Sequence, residues 1–534
     1  MKISSKIIAC LSVITIVFSS CDDFFEVKPD DKLSESEHYS KVSEVYAAFV
    51  GTAAVFQDAA AHTVLLNELL GDNILPTIQA PQEYWDIARY QVSSDNTLLS
   101  PEAYYKIIIN CNDFLRHAVV FNETHPNAIA EAYYKGMISQ AINFRAWSYL
   151  MIGKIYGKVV YYDYALADDT DLSQCPVYAF DELLPVLADF LQNGVNGING
   201  FNGLDWTGFL NLTDVSWNRV SVDANVLLGE IYLWMGDYQN AIRYLTQITN
   251  ITTGDETNRW KLSSSFSDTK WSNIFSTSIT GNTGETITVV PFDKAKKQEN
   301  QLFYDFLYDY NLMPSDSLVS RFENQRTKNN LKGDRYRGNG SSYLAVRTEH
   351  GLKGAVAAKY LSASTCINIY RAADVHLMLA EALAGMQRFE EAMIIMNQGF
   401  VGGDKKYWTT VDGKSFRLPP MNDPIYNDNW RNNLGVRGRV NLAAVDYRSL
   451  LPENPTEQDK YRAVLQCIAD EVSLELAFEG KRWSTLVRMA RNLNDPSFLL
   501  DNVLKKFSPE ERGAYRDLLT QNGYFLDYPQ INVK

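Results

Sequence analysis

The sequence predicts a mostly α protein in which helix pairs form a scaffold and carry an irregular, loop-rich face with a few short strands. Three observations lead there. Asp223–Thr249 and Asp374–Phe400 align without gaps at a displacement of 151 residues, and each reads as two apolar-faced helices around a polar break. Apolar residues at three- and four-residue spacing recur near Pro101–Val120, Ala128–Tyr156 and Asp459–Arg491. Between these stretches, over 72–100, 250–365 and 401–457, the helical pattern gives way to strand-like and irregular sequence.

Taken from the amino terminus, the first element is a leader. Lys2 and Lys6 precede an apolar stretch of 12 residues, Ile7 to Phe18. A membrane span needs about 20 residues, so the stretch fits a signal-peptide core. It runs through Phe18-Ser19-Ser20 into Cys21, which resembles a bacterial lipobox. Residues 1–20 are therefore read as a removed lipoprotein signal, and the Cys21 thiol as the lipidation site. Each buried acyl CH₂ adds about 0.8 kcal/mol of membrane affinity, so several chains anchor firmly. No other stretch is read as approaching a transmembrane helix.

Lys plus Arg is 50 against 64 Asp plus Glu, a net charge of −14 over 534 residues. Such a surface repels phosphate backbones, and no basic run offsets it, so nucleic acid is excluded as a partner. Beyond the leader, Cys111, Cys175, Cys366 and Cys467 are too sparse for a disulfide scaffold. Three pairings are open to them, and the spacing does not choose.

The helices follow in order. Pro101–Val120 and Ala128–Tyr156 form one pair, the second closed by Tyr156-Gly157. Asn193–Gly203 holds four Asn-Gly dipeptides and reads as a turn-rich loop. Asp223–Thr249 and Asp374–Phe400 carry the repeat: Ala241 falls on Ala392, Tyr238 on Phe389, Leu228 on Leu379 and Glu230 on Glu381. An aromatic three residues before a small alanine, after a short turn, is the tetratricopeptide pattern, so the scaffold is read as tetratricopeptide-like helix pairs. Glu285–Phe292 is the best strand candidate, and 401–440, with Trp408 and Trp430, reads as a long excursion. Asp459–Arg491 reads as one last long helix, with Glu475 and Glu479 placed to meet Arg482 across one turn. That spacing fits a structural ion-pair network better than paired catalytic carboxylates.

Three blocks together resemble the SusD/RagB family of outer-membrane nutrient-binding lipoproteins of the Bacteroidetes. They are Cys21-Asp22-Asp23-Phe24-Phe25-Glu26-Val27-Lys28-Pro29, then Tyr370-Arg371-Ala372-Ala373-Asp374-Val375 leading into Leu379-Ala380-Glu381-Ala382, then Leu474 through Trp483, LELAFEGKRW. Arg145, Asp334-Arg335 and Tyr528-Pro529-Gln530 also fall where the family has similar residues. The resemblance spans the mature chain, 21–534, as a single SusD-like domain. Val472 and Thr485 depart from it, where the family has arginine and aspartate, which puts one ion-pair network in question. The resemblance implies a helix-pair scaffold (about 101–157, 222–249, 370–400 and 459–491) with loop-rich insertions. It further implies a SusC-like TonB-dependent β-barrel transporter as partner, to which the lipoprotein delivers a bound oligomer without breaking a bond.

The residues themselves show no enzyme motif. The six histidines have no ligand spacing, His376 reads as a core histidine, and no cofactor or metal signature occurs. Aromatic rings are plentiful, with 10 Trp, 31 Tyr and 25 Phe, and a flat ring with polar neighbours suits the C–H face and hydroxyls of a sugar. Rings on irregular loops are the informative ones. Asp72–Tyr90, DNILPTIQAPQEYWDIARY, is the best such segment, with Trp85 the leading candidate and Tyr84, Asp72 and Asn73 beside it. Tyr308, within FYDFLYDY, is added, although that stretch also suits a buried helix; Trp271 reads as core. The expected function is oligosaccharide capture at an outer membrane, lipid-anchored and facing outward as Asp22-Asp23 suggest. The alternatives are oligopeptide capture, a tetratricopeptide scaffold for outer-membrane assembly, and, last, a lipid-anchored glycoside hydrolase.

Overall fold

The computed structural model describes residues 39–166, 174–194, 201–205, 220–249, 262, 271–278, 285–349, 351–399, 408–411, 414–417 and 434–526, and it is mostly helical. Cys21, residues 195–200 of the Asn-Gly loop, Trp430 and Tyr528-Pro529-Gln530 lie outside the described residues.

Helices α1 (Val42–Ala54) and α2 (Phe56–Leu70) follow one another with only Val55 between them. By length and composition this run passes as a membrane-spanning helix, a correction to the reading that nothing beyond the leader approaches one. Half of its most apolar stretch is buried in the protein, with the Phe56 ring against Phe144 and Trp147. Its apolar content serves the core. Helices α3 (Gln82–Ala88), α4 (Glu102–Thr124) and α5 (Glu131–Tyr156) follow. From Met137 to Tyr156 every residue of α5 is buried, as befits a helix apolar on most of its circumference and surrounded by others. Gly157, at φ 72°, closes it.

The two repeat copies fold as the alignment predicts. Helices α6 (Ala224–Met235) and α7 (Tyr238–Thr249) form one pair, and α8 (Ala372–Gly385) and α9 (Phe389–Asn397) the other. Asp223 caps α6 by accepting from the backbone N–H of Asn225 at 2.8 Å. Although far apart in sequence, the copies pack directly on one another. The Tyr238 ring lies on Gly385 so closely that a Cβ there would stand 2.4 Å from ring carbons, and its hydroxyl meets that of Tyr461 at 2.9 Å. The aligned glutamates converge on one guanidinium: Arg488 bonds Glu381 at 2.7 and 2.9 Å and stands 3.9 Å from Glu230.

Strands are short and, among the described residues, pair only in twos. The predicted strand is Thr286–Val290, antiparallel to Ile367–Arg371, which leads straight into α8. Trp271 is fully buried beside Ile274, Val440 and Leu442, as expected of a core residue.

The carboxy-terminal helix is not continuous. It divides into α10 (Glu457–Glu475) and α11 (Arg482–Leu493), separated by a turn in which Phe478 (φ 65°) and Gly480 (φ 69°) are left-handed. A Cβ on Gly480 would lie 2.7 Å from the Val64 backbone, so the turn sits hard against α2. The break re-aims Arg482 away from Glu475 and Glu479, correcting the expected one-turn pairing. Glu475 instead bonds Arg371 and Arg337, each at 2.6 Å, and Arg439, while Glu479 bonds Arg371 at 2.7 Å and Lys359 at 2.6 Å. Glu285 and Glu471 extend the network through Arg371, Arg439, Arg337 and Arg437. The departure at Val472 thus leaves a dense buried network in place. Cys111, Cys175, Cys366 and Cys467 are all buried and free.

Candidate functional site

The candidate loop starts where α2 ends. Asp72 and Asn73 are fully buried, which corrects the expectation that they meet a ligand. The Asp72 carboxylate accepts from Arg482 Nε at 2.6 Å and pairs with Arg321; burial pushes its pKa up, but the two guanidinium groups hold it well below the usual carboxylate range. Asn73 Oδ1 accepts from the Ser473 hydroxyl at 2.7 Å. These side chains point inward because they pin the start of the loop to residues hundreds of positions later.

Beyond them, β1 (Ile74–Pro76) pairs antiparallel with β2 (Leu312–Pro314), Ile74 opposite Pro314 and Pro76 opposite Leu312. The Thr77 hydroxyl donates to the Tyr310 carbonyl at 2.5 Å and its N–H to that of Asn311 at 2.8 Å. The chain then turns at Ile78, a side chain 78% exposed, and enters α3 after Pro81. Trp85 is half-buried on α3: its indole N–H donates to the Thr77 carbonyl at 3.2 Å, and Arg89 lies 4.3 Å from its ring centroid. The ring is thus held by its edge and by a cation on one face.

The other candidate stretch meets this loop from the far side. Gln301–Phe303 is a short helical turn that widens into a π-helical turn over Tyr304–Tyr308. FYDFLYDY is therefore divided. Asp305 and Phe306 are buried, whereas Tyr308 is 61% exposed beside Phe303 and Tyr304, at centroid distances of 6.0 and 5.5 Å. π-Turns concentrate at functional positions.

The two stretches are joined by Tyr84. Its ring is 7% exposed, so it supports the surface from beneath rather than presenting a face, and its hydroxyl donates to Asp305 Oδ1 at 2.9 Å. Asn311 Nδ2 donates to the same oxygen at 3.0 Å. Burial raises the Asp305 pKa, and these donors partly offset the rise. Tyr310, at φ 53°, ends the stretch, its hydroxyl bonded to the Ala355 carbonyl at 3.0 Å. The fold thus gathers Ile78, Trp85 and Tyr308 onto neighbouring elements over a fixed base. Ile78 and Asp305 were not singled out in the sequence; the signal was an acid inside an aromatic run and an apolar residue alone in a polar turn.

Elsewhere the chemistry is structural. The guanidinium groups of Arg439, Arg371 and Arg337 overcome burial and keep Glu475 well below the usual range, and Arg371 and Lys359 likewise lower Glu479. Carboxylates held ionised in this way do not act as proton donors near neutrality. His376 is buried, its Nδ1 2.6 Å from the Ala372 carbonyl, and burial pulls its pKa down to about 4, in keeping with a core role. Among the described residues, no group of three or more His, Cys, Asp or Glu is arranged to hold a metal ion. Trp408 lies in a strand, Trp408–Val411, paired with Lys414–Arg417.

The class these features define is a tetratricopeptide-type helical frame with an aromatic surface carried on its connections. A tetratricopeptide repeat matches residues 222–253, the first of the two copies. Residues 283–528 match the SusD family. Its fold is that of a SusD superfamily protein from Bacteroides vulgatus (TM-score 0.59, 14% identity, 90% of this chain and 97% of that one). It is also that of B. fragilis NanU (0.56, 17%, 89% and 94%) and of a laminarin-binding SusD-like protein (0.54, 16%, 92% and 99%). At these identities the likeness is one of fold. No curated protein matches the sequence.

Proposed function

We propose that this protein captures oligosaccharides at the outer membrane and passes them to a SusC-like TonB-dependent β-barrel transporter. One observation carries the reading: the buried Tyr84–Asp305 bond ties the helix that bears Trp85 to the turn that bears the exposed Tyr308, in a chain whose residues 283–528 match the SusD family. A half-buried indole and an exposed phenol offer flat apolar faces, and Gln82, Glu83 and Asp86 beside them offer hydroxyl partners. That a SusD-like neighbour of the same fold binds laminarin supports a glycan as the ligand. Tyr84, Asp72 and Asn73 act in this reading as the buried base on which the surface rests. No bond is broken.

Lipid attachment at Cys21 supplies the membrane address, with the mature chain facing outward. Isothermal titration of the mature protein against a glycan panel tests the ligand class: saturable binding of at least one oligosaccharide is expected, and binding of peptides alone overturns it. Replacing Cys21 by Ala is expected to release the protein from the membrane fraction; retention there overturns the anchor. Copurification of one β-barrel with the native protein tests the partner.

A further inference from the structure

A concave site of different chemistry lies along one further helix. The helix that follows β2, Asp316–Asn324, is capped at its start by Ser315, whose hydroxyl accepts from the Leu318 N–H at 3.1 Å. Its Ser317, Ser320, Arg321 and Asn324 are spaced three and four apart and so share one face. That face, together with Asp470 of α10 and Lys505, bounds a cleft of about 370 Å³. Small-molecule sites run from about 300 to 1,000 Å³, so the cleft holds something the size of a single sugar ring.

Its chemistry is selective. The side chains of Ser317, Ser320 and Asn324 make no hydrogen bond to other described residues, so their donors and acceptors are open to a ligand. Arg321 is fixed from behind by Asp72 and by a 2.6 Å bond to the Ser473 hydroxyl, with its Nε edge 4.0 Å from Asp470. Lys505 Nζ donates to Asn502 Oδ1 at 3.2 Å, one bond for an ammonium with three donors. Of the charged residues that bound the cleft, Arg321 and Lys505 face Asp470, an excess of one positive charge in a chain of net charge −14. Burial also lowers the Lys505 pKa, so a ligand anion would relieve a cation that is poorly solvated. A single excess charge beside the Asp470 carboxylate suits a monoanion better than a phosphate dianion.

We propose that this cleft binds a small carboxylate-bearing polyol, a sugar acid of the uronate type, with Lys505 and Arg321 on the carboxylate and Ser317, Ser320 and Asn324 on the hydroxyls. The site goes beyond the aromatic surface and does not depend on it.

The probe is free D-glucuronate, with D-glucose as the neutral control, titrated calorimetrically into the mature protein. Saturable glucuronate binding is expected, at least tenfold tighter than glucose. Lys505→Gln is expected to weaken it at least tenfold, the loss of one charge-assisted bond. Asp470→Asn, on a half-exposed side chain, is expected to tighten it several-fold by removing the opposing charge. Trp85→Ala and Tyr308→Ala are expected to leave it unchanged, which separates this site from the glycan surface. Equal binding of glucose and glucuronate, no glucuronate binding up to about 10 mM, an Asp470→Asn variant unchanged or weaker, or loss of binding with Trp85→Ala overturns the assignment.

Discussion

Tyr84 donates a 2.9 Å hydrogen bond to Asp305, residues 221 positions apart, and so fixes the loop bearing Trp85 against the turn bearing Tyr308. The bond is buried and directed at a carboxylate, so it sets the relation of a half-buried indole and an exposed phenol that no local sequence could set.

Tyr84→Phe keeps the ring and removes the donor. Leaving a buried carboxylate short of a partner costs about 1–3 kcal/mol, and the midpoint of urea unfolding is expected to fall accordingly. Glycan affinity is expected to fall with it, because the base of the surface loosens. An unchanged midpoint counts against the bond as a structural tie.

Tyr308→Ala separates binding from stability. Its ring is 61% exposed, so thermal stability is expected to stay within about 0.5 kcal/mol of the native value. Affinity for the glycan that titration identifies is expected to drop roughly tenfold, the worth of one ring contact of about 1.4 kcal/mol. A variant that binds as well as the native chain removes Tyr308 from the site.

Gly385→Ala tests the packing of the two repeat copies. The added Cβ would meet Tyr238 ring carbons at 2.4 Å, and that ring is tied by its hydroxyl to Tyr461. Overpacking of this kind costs about 1–3 kcal/mol, to be read as a lower unfolding temperature. A variant as stable as the native chain shows that the ring can move aside.

Glu68 gives the protein a pH dependence of its own. It is fully buried, accepts from the Gly480 N–H at 2.9 Å, and burial raises its pKa from 4.5 to about 7. Lys359 and the Gly480 N–H oppose the rise, and Asp72 adds to it. The folded state therefore keeps a proton that the unfolded chain has lost, so this contribution is full below pH 4.5 and disappears as pH rises towards about 7. Glu68→Gln is expected to remove that slope, which denaturant unfolding at several pH values measures. An unaltered slope assigns the pH dependence to other groups.

Much of the frame was legible in the chain. The repeat at Asp223–Thr249 and Asp374–Phe400 was readable because a helix pair needs an aromatic beside a small residue at fixed spacing, a local requirement. Glu285–Phe292 showed as a strand for the same local reason, its β-branched run. The break between α10 and α11 was missed: Phe478-Glu479-Gly480 sits in an apolar run that keeps helical spacing, and only the approach of α2 to Gly480 forces the turn.

Residue types and their spacing thus determined the helical frame, the repeat and the aromatic segments. Within the candidate loop, burial was decided by the tertiary structure. Asp72 and Trp85 stand 13 positions apart in one loop, yet one is locked between Arg321 and Arg482 while the other keeps part of its ring in solvent. The reason is that a side chain's environment is built by elements remote in sequence: Arg482 reaches Asp72, and Asp305 reaches Tyr84, only after the chain has folded back upon itself.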